Sequence, residues 1–251
     1  MTQDLKEARK ICLRLAHKAQ DGNLQSAFSS MEILWTLENY VMNSDDVIIL
    51  SKGQSTLALY AVLIQNGTYF EEEFDNIGKY GGTYSIQVDI TKNIKGMHNS
   101  AGALGHGLPF ACGIAMAKKV KKESGRVFVL TGDGEFNEGT MWESCLIAER
   151  FKLDNLWVIV DNNASHNIYS LEKKFKAFGF SKRTVWEGNN DCHCEIIIND
   201  LNNKNGNKPK AIIVDTQRGY GCPSIMNGPK WFHRAPNDEE LSLLSKEIDE
   251  Q

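Results

Sequence analysis

An apolar run ending in Gly132-Asp133-Gly134 is followed, thirty residues beyond its aspartate, by Asn163, the second member of an Asn162-Asn163 pair. A carboxylate and amide oxygens are hard ligands that suit Mg²⁺ carried together with a phosphorylated molecule. Glycines beside them let backbone approach phosphate with no Cβ in the way. The alternative for Asp133 is a helix N-cap, a position that aspartate fills well. Turns rich in Gly and Asp are common, so the turn alone says little and the spaced amide pair says more. Cys192-His193-Cys194 also has metal-ligating residue types, but no second ligand pair lies at zinc-site spacing. It reads as an irregular turn before a helix.

The elements that must position these groups are legible in the same window, RVFVLTGDGEFNEGTMWESCLIAERFKLDNLWVIVDNN. Two apolar runs flank a helical pattern, and a parallel strand pair joined by one helix brings both carboxyl ends to one edge. Open α/β sheets hold ligands at that edge. Periodicity places helices near 4–20, 30–42, 54–66, 106–122, 138–152 and 238–248, and strands near 47–50, 127–131, 156–161 and 211–215. The alternation predicts an α/β fold, a mostly parallel sheet with helices on both faces. The first helix is amphipathic, with Leu5, Ala8, Cys12, Leu15 and Ala19 on one side, and it lacks the apolar core of a signal peptide. The stretch NDLNNKNGNKPK reads as a solvated loop before the strand AIIVD.

With 251 residues, no linker and no repeat, one domain spanning 1–251 is expected. A net charge of −4 points to neither nucleic acid nor an anionic membrane. The longest apolar stretches are strand-sized, too short for a transmembrane helix. Six cysteines without framework spacing suggest reduced thiols in a cytoplasm.

The GDG–NN window resembles the thiamine diphosphate signature of the transketolase superfamily, and further segments resemble that family in its own order. SKGQSTLALYAVL is similar to its SKGH…ALYAVL segment, and SAGALGHGLPFACGIAMAKK to its STGSLGxGLxxAxGxAxAxK segment. AIIVDTQRGYG and PKWFHRAPNDEE are similar to its closing TxKGxG and WHxxxPxxEE segments. The likeness covers about residues 5 to 245. It implies the diphosphate-binding domain of a thiamine diphosphate enzyme. Mg²⁺ (or Ca²⁺ or Mn²⁺) would then be held by Asp133, Asn163 and the backbone carbonyl of Ser165. Gly132, Gly134, Glu135 and Gln54 would line the cofactor, and Gly102 and Leu104 would lie against its rings. Leu104 has an alternative in ordinary core packing. Glu138 matches a family glutamate in the proton path between two cofactor sites; its alternative is a first-turn helix acid favoured by the dipole.

The resemblance also implies a partner. The glutamate that faces the cofactor's pyrimidine belongs, in transketolases, to a second domain, and no such domain precedes Gln251. A pyrimidine-binding C-terminal subunit would supply it, in an α2β2 heterotetramer with sites between the subunits.

Several family histidines are replaced. Asn23 stands in GNLQSAFS where the family has GHPGGSLS, Gln54 ends SKGQ, and Gln87 is taken for the degraded GHP motif. The family's GHD is Gly188-Asn189-Asn190, and in Trp231-Phe232-His233 the imidazole has moved along by one position. Amides donate and accept hydrogen bonds but carry no proton near neutral pH. Asn23, Gln54 and Gln87 are therefore substrate-contact candidates without acid–base capacity. The alternative is drift in a subunit whose partner does the chemistry. His106 and His233 remain as candidates for contacts to the transferred group, each alternatively a structural histidine.

Three functions follow. The leading one is half of a ketol transferase moving a two-carbon unit from a ketose to an aldose, in a specialised sugar pathway. The second uses a 2-oxo acid that is decarboxylated; the α subunits of 2-oxo-acid dehydrogenases share the GDG…NN motif but lack the SKG and RAP-type segments. The third is a non-catalytic regulatory subunit, against which the intact Asp133 and Asn163 argue.

Overall fold

The computed structural model describes residues 1–164, 168, 170–185, 187–189, 206–227 and 231–251. Among them, five strands form one all-parallel sheet: β1 (Val47–Leu50), β2 (Val127–Gly132), β3 (Leu156–Asn162), β4 (Ser181–Val185) and β5 (Lys210–Asp215), ordered β1-β2-β3-β5-β4. Side chains along a strand point alternately to opposite faces, and here both faces are apolar. Ile48, Leu50, Phe128, Leu130, Ile159 and Val214 face one core. Ile49, Val129, Val158, Val160 and Ile213 face the other. Continuous apolar runs such as VIIL and WVIV are what a parallel sheet buried on both sides demands.

The first core is closed by α1 (Gln3–Ala19), α2 (Leu24–Ser29), α3 (Met31–Thr36), α4 (Thr56–Gln65) and the C-terminal helix Asp238–Asp249. The second is closed by α5 (Gly107–Lys121), α6 (Gly139–Arg150) and α7 (Leu171–Ala177). In α1, Leu5, Ala8, Cys12 and Leu15 are buried as the periodicity predicts. Thr2 caps it, accepting from the Leu5 N–H, and Asn237 with Glu240 forms a capping box on the C-terminal helix. No described helix is long and apolar enough to cross a membrane.

The helix expected near 30–42 is present as α3 running directly into a π-helical turn over Leu37–Val41, whereas α2, just before it, was not anticipated. All six residues of α2 are buried, so no amphipathic period marks it. Ser30, at the junction, turns its hydroxyl back to the carbonyls of Ser26 and Ala27, a habit that bends helices. Strand β4 and helix α7 were also not anticipated. SKRTV is charged because it forms a sheet edge, where charge blocks further pairing. LEKKFKA buries only Leu171 and Phe175. Cys192, His193 and Cys194 and most of the Asn/Lys-rich stretch lie outside the described residues.

Candidate functional site

The register of the sheet assembles the site. Gly132 pairs with Asp161 and Asn162 with Asp215, so Asp133 and Asn163 leave adjacent strand ends at the carboxyl edge. Asp133 is fully buried and Asn163 nearly so. Asp133 opens a 3-10 turn, Asp133–Asn137, in which Gly132 is the N-cap, and Glu138 is the N-cap of α6. The helix N-cap alternative for Asp133 is thereby corrected.

Beneath this edge lies a polar cluster that sequence reasoning missed. Lys52, two residues beyond β1, forms a buried ion pair with Asp161. The same ammonium donates to the Ser26 carbonyl at 2.9 Å and to Ser29 Oγ at 3.0 Å. Ser29 Oγ donates to Asp161 Oδ2 at 2.7 Å, and the Thr216 hydroxyl donates to Asp161 Oδ1. The Asn163 amide nitrogen reaches Ser29 Oγ at 3.3 Å and Asp161 Oδ2 at 3.4 Å. Its nitrogen being so directed, the amide oxygen is the donor a hard cation would take. The available signal was Asp161 itself, a carboxylate closing the apolar run VIV, which has to find partners when buried.

The edge fits a metal-bound diphosphate. Asp161 is met by the Lys52 cation, and the buried Asp133 carboxylate with the Asn163 amide offers the oxygens that a divalent ion takes. A Cβ on Gly132 would come no nearer than 3.8 Å to Lys52, and one on Gly102 would meet nothing within 4 Å. Backbone at Gly102 borders open space. Ser165, expected to offer a third ligand, lies outside the described residues. Asn162 donates to Asp215 and is thereby tied within the sheet edge.

Glu135, expected beside the cofactor, turns inward instead. It is 2 % exposed and accepts from Ser51 Oγ at 2.5 Å, Gly105 N at 3.1 Å and Gly132 N at 2.9 Å. Burial raises its pKa, against the opposing pull of these three donors and of the Lys52 charge.

Asn23, Gln54, Gln87 and His233 come from four separate segments and line one cleft together with Asp21 and Leu57. Asn23 caps α2, accepting from the Ser26 N–H at 3.3 Å. Its Nδ2 is buried with no hydrogen-bond partner among the described residues, a costly arrangement that a ligand oxygen would relieve. A Cβ at Gly53 would lie 2.1 Å from Gln87 Oε1, so glycine is what lets the Gln87 amide pass across the SKG turn. His233 adopts φ 50°, an uncommon conformation for a side-chain-bearing residue. It is held there by an antiparallel bridge between Asn23 and Phe232 and by the Arg234 N–H on the Gly22 carbonyl. His233 Nδ1 lies 3.9 Å from Asp21 Oδ1.

The remaining candidates are distributed differently. His106 is exposed at the start of α5 and its Nδ1 contacts the Leu104 carbonyl at 2.9 Å; it does not line the amide cleft. Leu104 is 45 % exposed, which corrects its core-packing alternative. Glu138 is exposed at the N-terminus of α6 and makes no side-chain cap bond. Asn189, in the family's GHD position, is committed within the protein. It donates to Ser29 O and Glu32 Oε2 and accepts from the Gln217 N–H. Burial pushes the Cys12, Cys112 and Cys222 thiols up to about 12, so none is a nucleophile near neutral pH.

Fold and site together define an open, parallel α/β domain with the candidate-site loops gathered on the carboxyl edge of the sheet, the edge at which such sheets hold ligands. Residues 25–248 match the family model of the transketolase thiamine diphosphate binding domain, and the chain belongs to that family. It is 32 % identical to one of the subunits of the apulose-4-phosphate transketolase of Actinobacillus succinogenes, over 97 % of this chain and 93 % of that protein. It is 28 % identical to the 6-deoxy-6-sulfo-D-fructose transketolase subunit SqwG of a Clostridium species, over 93 % of this chain and 90 % of that one. The fold superimposes on the crystal structure of Campylobacter jejuni transketolase with a TM-score of 0.83 at 24 % identity. That alignment covers 98 % of this chain and 43 % of the solved one.

Proposed function

We propose that this chain is the diphosphate-binding subunit of a split transketolase that moves a two-carbon ketol unit from a ketose donor to an aldose acceptor. The observation that carries the reading is the convergence of Asn23, Gln54, Gln87 and His233 in one cleft. Asn23 and Gln54 stand where the family's motifs carry histidines, His233 one position along from another, and Gln87 is taken for a fourth. Relatives of matching length are themselves named as single subunits of transketolases, which supports a second, complementary polypeptide. That partner would bring the pyrimidine-facing glutamate, in an α2β2 assembly with Glu138 and Leu104 on the side turned to it.

In this reading Asp133 and the Asn163 amide would hold Mg²⁺ together with the diphosphate. Gly102 and Leu104 border the cofactor's rings. Thiamine diphosphate, when bound, supplies the nucleophilic carbon and the electron sink. The chain's own work is orientation. Asn23, Gln54 and Gln87 offer neutral donors and acceptors to sugar hydroxyls. Proton transfer in the cleft falls to His233, because amides do not exchange protons near neutral pH. A cleft wall that carries no Lys or Arg among the described residues reads hydroxyls, so a phosphate or sulfonate at the far end of the sugar would be met by the partner. The sugars for which the relatives are named, apulose 4-phosphate and 6-deoxy-6-sulfo-D-fructose, make a sugar outside central metabolism the expected donor.

A donor-cleavage assay tests this, using the chain joined to its partner subunit with thiamine diphosphate and Mg²⁺. The panel sets ketose phosphates, deoxysulfo-ketoses and free ketoses against 2-oxo acids. Turnover of a ketose with two-carbon transfer is expected. Turnover of 2-oxo acids alone would replace ketol transfer by decarboxylation, and no turnover with the cofactor bound would favour a regulatory subunit.

A further inference from the structure

The three segments that border the proposed cofactor site are the SKG turn after β1, the GALG loop before α5 and the GDG turn after β2. They are far apart in sequence, and one side chain touches all three. Glu135 Oε1 accepts from Ser51 Oγ at 2.5 Å and from the Gly105 N–H at 3.1 Å, while Oε2 accepts from the Gly132 N–H at 2.9 Å. The loop is tied from its other side as well, since Thr140 Oγ1 donates to the Gly105 carbonyl at 2.9 Å. Gly105 sits at φ +76°, and a Cβ there would lie 2.6 Å from Glu138 Cβ and 2.8 Å from Thr140 Oγ1. The loop is therefore pinned by both its backbone polar groups, with no room to shift toward α6. Yet Gly102 and Leu104, next along the same loop, are exposed.

We propose that Glu135 is a positioning residue, a buried carboxylate that locks the GALG loop to the GDG turn so that Leu104 and Asp133 address one bound cofactor. The inference rests on the thiamine diphosphate reading above. Hydrogen bonds to a charged acceptor are the stronger kind, and a carboxylate offers enough lone pairs for three donors, with none of its own to compete. Glutamine keeps the length but turns one acceptor into a donor that faces a backbone N–H. Aspartate keeps the charge but is too short to reach from the 3-10 turn to both Ser51 and Gly105.

The test uses the full chain, by itself for hydrogen exchange and with its partner subunit for cofactor binding. In Glu135→Gln, amide exchange across residues 101–106 is expected to rise about tenfold or more while β2 and β3 keep their protection, the scale of one lost charged hydrogen bond. Half-saturation by thiamine diphosphate with Mg²⁺ is expected to rise about tenfold, and kcat at saturating cofactor to stay within about twofold. Glu135→Asp should not rescue either quantity. Ser51→Ala, which removes one donor and leaves the carboxylate in place, should give smaller changes of the same sign, and it decides the matter should Glu135→Gln not fold. Wild-type exchange at 101–106 in these variants, unchanged half-saturation, or full rescue by aspartate would each overturn the proposal. Absence of cofactor binding by the unaltered complex would instead sink the functional reading, with the exchange measurement still judging the clamp.

Discussion

Two regions of one sheet edge treat their polar groups in opposite ways. Around Asp161 four side chains are committed within the protein: Lys52, Ser29, Thr216 and the Asn163 amide nitrogen all converge on one carboxylate. In the neighbouring cleft the Asn23 Nδ2 is buried without a partner among the described residues, and Gln54, Gln87 and His233 line the same narrow opening. The first region is a preorganised platform, whose fixed dipoles cost nothing to align when a ligand arrives. The second is held back for a ligand, because a group already satisfied by the protein cannot discriminate between substrates. Asn189 makes the difference concrete. It stands in a family histidine position, but both ends of its amide are used by the protein, so it belongs with the platform.

The strongest way to break this contrast is Asp161→Asn. It leaves the Lys52 cation buried with its counter-ion gone, and loss of one partner of a buried pair costs about 3–5 kcal/mol. Urea unfolding should show this as a lower midpoint at an unchanged slope. A loss under about 1 kcal/mol would mean that the cluster is not a preorganised platform. Next is Asp133→Ala, expected to weaken Mg²⁺-dependent cofactor saturation by at least about 100-fold, beyond what loss of a mere ligand-orienting neighbour does. Titration of the complex with the cofactor at fixed Mg²⁺ reads it, and near-normal saturation would remove Asp133 from the metal site.

Glu38 sharpens the contrast from outside the site. Its Oε1 is buried with no hydrogen-bond partner among the described residues, and burial pushes its carboxyl up to about 7. A folded-state value above the unfolded one means that this group's stability is fully present below about 4.5 and is lost as pH rises through about 7. Glu38→Gln should therefore stabilise the chain by about 1–3 kcal/mol at pH 8 and change little at pH 4. Thermal melts at the two pH values check the sign; equal shifts at both would place the cause elsewhere than in ionisation. The smallest effect is expected for Gln54→Ala. It should raise the KM for the donor sugar about tenfold, the worth of one hydrogen bond, and leave the melting temperature within about a degree. A fall in stability without a change in KM would move Gln54 from the cleft to the platform.

How far the site was legible followed from how local its signals were. GDG is a short motif at a strand end, so Asp133 could be named as a candidate from its turn chemistry, and Asn163 from its match to the family's motif. Lys52 could not be singled out, since nothing near it in the chain reveals that Asp161 lies across the sheet edge, 109 residues away. Glu135 belongs to the expected site but with unexpected neighbours: its partners Ser51 and Gly105 are 84 and 30 residues distant. Segments without an apolar period mislead for a related reason. Helix α2 is buried all round and β4 is a charged edge, and in both the surroundings override the local pattern.

By itself, then, the order of residues determined the parallel α/β alternation, the Gly-Asp-Gly turn and the amide pair at two apolar-run ends, and the amide side chains at positions 23, 54 and 87. These are readable because periodicity and turn chemistry act within a few residues. Only the tertiary structure decided that Asn23, Gln54, Gln87 and His233 share a cleft, that Asn189 is consumed internally, and that Glu135 faces inward. Each of these depends on strand order, register and desolvation. Those are set by burying two apolar faces at once, and no stretch of chain carries that information alone.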